Sequence, residues 1–248
     1  SIGALAGDST ILGGQAYDDL KIVGTRAADK YRRVDNAITY LLPTVVQGVT
    51  AQLQYSTAAV GNTAVTCTAP CTPGAVDTAV TGNETTGSAG KTYGLSIKYT
   101  EGPVLAGLGY LNAKDESNVS NGDQRANAVL VYGGYDLGMA KVIAYFDSET
   151  KAAERMTVLG VKAIVPVTAD LTVQAGVSRA KNVSGSAASN DDAVVTAVKA
   201  VYKLSKRTSV YGLGTIVNNE FALTKGILAP TTGDRIAGGI AAGVAHAF

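Results

Sequence analysis

The chain has 248 residues, 46% of them apolar and only 17% charged, with 29 glycines. Its 21 basic and 20 acidic residues leave a net charge of +1, a balance with no nucleic-acid footprint. Mean hydropathy is +0.14 and no run approaches the eighteen or so apolar residues that a membrane-spanning helix needs, so helical spans are excluded, whereas barrel strands, apolar only at alternate positions, are not.

In chain order, Ile38, Tyr40 and Leu42 alternate with Ala37, Thr39 and Leu41 before Pro43 breaks the strand, and a return strand follows through Val49, Ala51, Leu53 and Tyr55. A long Thr-, Ala- and Gly-rich loop over 57–90 comes next and carries the only cysteines, Cys67 and Cys71. A disulfide is the default for such a pair in an exported protein, although two separate thiols or a metal pair also fit the spacing. No other soft ligand clusters nearby, which argues against a zinc site.

Tyr93, Leu95, Ile97 and Tyr99 alternate in the next strand, and Glu101, Gly102 and Pro103 turn the chain into Val104, Ala106, Leu108 and Tyr110. Further hairpins are expected over 125–135 with 140–147, 157–165 with 171–178, and 195–204 with 209–217. Polar loops over 112–124, 148–155, 179–192 and 218–234 separate them. Short turns at one end and long loops at the other are the asymmetry of an outer-membrane barrel, in which the turns are periplasmic.

The last strand, 235–248, alternates strictly. Ile236, Ile240, Val244, His246 and Phe248 share one face, and Ala237, Gly239, Ala241, Gly243, Ala245 and Ala247 make a small-residue face opposite. An apolar face running to a final aromatic residue suits a strand that closes a barrel in lipid, where open edges are costly. Of the 15 aromatic residues 12 are tyrosine, and Tyr40, Tyr55, Tyr93, Tyr99, Tyr110, Tyr132, Tyr135, Tyr202 and Tyr211 lie on or near strand ends, as girdles at the two water–lipid boundaries would.

Three segments carry a family resemblance. Arg33-Val34-Asp35-Asn36-Ala37-Ile38-Thr39-Tyr40, Tyr202-Lys203-Leu204-Ser205-Lys206-Arg207-Thr208 and Gly243-Val244-Ala245-His246-Ala247-Phe248 resemble, in order, three motifs of the trimeric general-diffusion porins of beta-proteobacteria. The resemblance implies an all-β, antiparallel transmembrane barrel of sixteen strands, about eleven of them in this chain, in a single domain over 1–248. Residues 1–31 would be the remainder of the inward-folded constriction loop and 32–248 the barrel wall, so the chain is expected to be the carboxyl-terminal two-thirds of a porin. It further implies a homotrimer in outer-membrane lipid, passing small hydrophilic solutes and ions, and recognition by the barrel-assembly machinery through the last strand and Phe248. Ala245 stands where the family usually has arginine, which removes a basic pore-lining group there.

With Ile38 and Tyr40 facing lipid, the opposite phase points Arg33 and Asp35 inward, and similar reasoning places Lys98, Lys141, Asp147, Lys162, Gln174, Lys199 and Lys203 on the lumen side. The family's constriction arginine matches Arg33. Asp8, Asp18 and Asp19 of the opening segment could form the wall facing it. Six basic against two acidic residues in the inward strand positions predict a weak anion preference. The single histidine, His246, falls on the lipid face and no Gly-x-Ser-x-Gly elbow accompanies it, so neither catalysis nor a cofactor or metal is expected. A substrate-specific channel, or a surface antigen or adhesin acting through the loops, are the alternative functions.

Overall fold

The computed structural model describes residues 2–12, 37–57, 91–114, 125–151, 154–183, 192–219 and 236–247. One helix, α1 (Ile2–Ser9), is followed by eleven strands: β1 (Ala37–Leu41), β2 (Val49–Ser56), β3 (Thr92–Glu101), β4 (Val104–Lys114), β5 (Arg125–Asp136), β6 (Lys141–Lys151), β7 (Glu154–Pro166), β8 (Leu171–Lys181), β9 (Ala193–Lys203), β10 (Thr208–Asn219) and β11 (Ile236–His246). They form one antiparallel sheet in strict sequence order, with β1 and β11 as edges that do not pair with each other. Nearest-neighbour pairing throughout is the up-and-down topology of outer-membrane barrels.

The expected alternation sets two environments. In β6, exposed Val142, Ala144 and Phe146 alternate with buried Ile143, Tyr145 and Asp147. The register carries that phase from strand to strand, so Ile38, Leu53, Tyr93, Val161, Ile216 and Ile240 all stand exposed on the convex face. A contiguous exposed apolar face of this extent has lipid, not water, as its solvent. The concave face holds buried Leu111, Leu130, Val158 and Val195, together with Leu5, Ile11 and Leu12 from the α1 segment.

Glycines shape two of the tight turns. Gly102, at φ +54°, links β3 directly to β4, and Gly138, at φ +83°, donates its N–H to Asp136 Oδ1 at 2.9 Å between β5 and β6. Both conformations lie in the left-handed region that a Cβ disfavours.

The structure departs from the sequence reading in three places. The loop expected over 148–155 is mostly strand: β6 runs to Lys151, β7 starts at Glu154, and these two residues pair. Its run of polar side chains resembles a loop, but Glu149 and Lys151 simply continue the inward phase. Tyr132 and Tyr211 are not girdle residues, because they occupy the inward phase and Tyr132 is only 2% exposed. Finally, the opening segment contains a helix, for which two glycines in eight residues give no local preference.

Candidate pore-lining face

Four inward lysines lie on the turn half of the concave face. Lys98 stands opposite Gly107 on β4, Lys162 opposite Gly176 on β8, and Lys199 opposite Gln174, while Lys141 opens β6. Of these inward glycines Gly107 is covered by the Tyr132 ring, while Gly176 leaves room on the wall in which the α1 segment packs.

The α1 segment is fixed to the wall by side chains of β3, β5, β7 and β8. Asp8 Oδ2 accepts from Lys98 Nζ at 2.7 Å and from Tyr132 Oη at 3.3 Å. Lys162 Nζ donates to the Thr10 carbonyl at 2.8 Å, and Gln174 Nε2 donates to the Ile11 carbonyl. These carbonyls leave the carboxyl end of the helix, where a cation is favoured by both charge-assisted bonding and the helix dipole. Ile11 settles onto Gly176, where a Cβ would meet its Cγ2 at 2.8 Å.

Between α1 and the wall lies a cavity of about 360 Å³, lined by Lys98, Lys141, Lys162, Lys199, Gln174 and Asp8 among others. Among the described residues four lysines and a single carboxylate line it. Lys162 is 3% exposed, and its ammonium is engaged by the Thr10 carbonyl. Lys141 lies 3.7 Å from Asp136 at the rim. Lys203, the last residue of β9, has the inward phase but sits exposed at the turn edge. Asp147 is fully buried, and so is Glu149, which the sequence reading had placed in a loop. Charge is therefore segregated along the strands, with lysines toward the turns and the two acids of β6 toward the loops.

Asp8 is the residue whose role the sequence reading missed. It bonds directly to Lys98 and Tyr132. Arg33, Asp35, Asp18, Asp19, Cys67, Cys71 and Phe248 lie outside the described residues. Among the described residues no group of three His, Cys, Asp or Glu side chains could hold a metal ion.

An antiparallel sheet in sequence order, apolar on its convex face and carrying a charged, helix-lined concave face, defines an outer-membrane β-barrel of the porin class. The sequence profile of the family described as Gram-negative porin matches residues 2–221. The chain belongs to that family, outer-membrane barrels whose lumen is a water-filled diffusion channel.

Solved structures agree on the fold. The chain is similar to the anion-selective porin from Comamonas acidovorans, with TM-score 0.67 and 21% identity over 96% of this chain and 69% of that one. It is also similar to OmpF of Salmonella typhi in complex with daunomycin, with TM-score 0.56 and 15% identity over 85% of this chain and 61% of the other. The trimer form of OmpT, an outer membrane protein of Vibrio cholerae, gives TM-score 0.55 and 14% identity over 86% and 65% of the two chains. The chain thus spans 61–69% of the lengths of these three. No curated protein sequence matches it significantly.

Proposed function

We propose that the protein works as a homotrimeric outer-membrane channel for passive diffusion of small hydrophilic solutes and ions, with a preference for anions and no catalytic step. The carrying observation is the cavity beside α1, where, among the described residues, four lysines and one carboxylate line the space. A low-dielectric wall lined with one sign of charge concentrates counter-ions and repels co-ions. Lys98, Lys141 and Lys199 are the groups proposed to act on passing ions, with Lys162 adding charge while it holds α1.

In this reading residues 1–248 form one barrel domain, with 1–31 folded inward. Arg33 and Asp35 line the constriction beside Asp18 and Asp19, Asp147 lines the lumen, and Lys203 marks its rim. The strand ending in Phe248 would present the chain to the barrel-assembly machinery, and Cys67 and Cys71 would be joined in an extracellular loop. The family and the anion selectivity of the Comamonas acidovorans porin support the reading.

The experiment is single-channel current across a planar bilayer, with native protein extracted from its membrane, followed by the reversal potential in a salt gradient. Ohmic steps in threes and a reversal potential of anionic sign are expected. Steps with a cationic sign would overturn the preference alone, and absence of current would overturn the channel.

A further inference from the structure

Beyond Lys203 at the rim, the motif shared by β9, its turn and β10 lies outside the lumen wall. Of the five described connections at the turn end of the sheet, 204–207 alone carries basic residues. Lys206 and Arg207 stand exposed there beside Lys203, whereas neighbouring connections carry or adjoin Glu101, Asp136 with its partner Lys141, and Asp170. Clustered like charges are costly unless an anion accompanies them.

The turn is also held in shape. Ser205 Oγ accepts from the backbone N–H groups of Arg207 and Thr208 at 3.2 and 3.0 Å, Leu204 N–H donates to the Thr208 carbonyl at 2.9 Å, and Ala247 N–H donates to the Arg207 carbonyl at 2.9 Å. A cavity of about 940 Å³ opens beside it, lined by Tyr202, Lys203, Leu204, Lys206, Arg207 and His246, with Asp170 the one acidic side chain among its described lining residues. Tyr202, Thr208 and His246 share the outward phase, and Thr208 Oγ1 is hydrogen-bonded to His246 Nδ1 at 2.8 Å. Along the outward face the strip passes from apolar Ile240 and Val244 to a polar pair and then, at the turn, to cations. Tyr202 and exposed Leu204 flank it with the ring and alkyl surface that acyl chains would meet.

We propose that the turn 204–207 with Tyr202 and His246 binds the phosphate-bearing headgroup of an anionic phospholipid in the periplasmic leaflet. Arg207 supplies a planar fork for phosphate oxygens and Lys206 a second positive charge. The Ser205 bonds fix both side chains' starting points, which lowers the ordering cost of binding. A free phosphate would meet the same cations but gain nothing from Tyr202 and Leu204. The inference rests on the membrane placement above and not on ion selectivity.

The test uses the full native protein in lipid nanodiscs, with phosphatidylglycerol retention read by native mass spectrometry against phosphatidylcholine. Wild type should retain phosphatidylglycerol preferentially, and the K206Q/R207Q double variant should lose roughly thirtyfold in apparent affinity, about fivefold per basic group. The K206R variant should keep the preference. Channel steps from the double variant should match wild type, which reports correct insertion separately. Equal retention of the two lipids, unchanged retention in the double variant, or full displacement by inorganic phosphate at matched concentration would each overturn the proposal.

Discussion

Tyr145 on β6 lies across Gly160, its directly opposite partner on β7, with the ring in the space that a Cβ on Gly160 would need. The same relation joins Tyr132 to Gly107 and Tyr211 to Gly243. Three inward tyrosines thus lie along the wall over cross-strand glycines, an arrangement that pins register. It also keeps bulky rings flat against the concave face and out of the lumen.

The first prediction follows from that packing. Gly160→Ala should displace the Tyr145 ring and destabilise the folded barrel by about 1–3 kcal/mol, the usual cost of overpacking. Gly212→Ala, on the outward face with nothing near its missing Cβ, should be close to neutral. Urea unfolding in lipid vesicles compares the two, and equal midpoints would refute the account of Tyr145.

Asp8 supplies the second. Its carboxylate is the one acid among the described residues that line the lysine cavity, and the Asp8–Lys98 pair is about 39% exposed on each side. Solvent screening then limits its structural value to about 1 kcal/mol or less. Asp8→Asn, which can still accept from Tyr132, should leave stability nearly unchanged while the reversal potential moves further to the anionic side. Lys98→Gln should move it the opposite way. If the two substitutions shift the potential in the same direction, the cavity does not set the field.

How much of this was legible in the sequence depends on the interaction's range. Period-two alternation correctly placed Lys98, Lys162 and Asp147 on the inward face, because that pattern is local. It failed at Glu149 and Lys151, where polarity in an inward phase looked like a loop. The girdle reading took Tyr132 and Tyr211 by nearness to strand ends and ignored their phase, which the glycines opposite them could have revealed. The helix α1 was hidden because its stability comes from Lys162 and Gln174, more than 150 residues away along the chain. Only the inward glycine at 176 hints that something must dock there.

The lipid-facing phase yields a third prediction. Ile240 is 88% exposed in the middle of β11, on the convex face. Ile240→Arg should cost about 2–4 kcal/mol if that position lies near the bilayer midplane. Ala241→Ser, one residue on and facing inward, should cost little. Folding yield into vesicles separates these cases, and a tolerated Ile240→Arg would contradict the assignment of the convex face to lipid.

The last prediction concerns what holds α1 in place. Lys162→Met removes a buried charge-assisted bond to the Thr10 carbonyl, worth about 1–3 kcal/mol, and also removes a cation from the cavity. Gln174→Leu removes the bond to the Ile11 carbonyl and changes no charge. Both variants should free the segment to fluctuate across the lumen, so open-channel current noise should rise in both. Only Lys162→Met should also shift the reversal potential toward cations. Because Gln174→Leu isolates anchoring from electrostatics, a trace as quiet as wild type in that variant would show that the helix is held by Ile11 and Leu12 packing and not by the polar bonds of the wall.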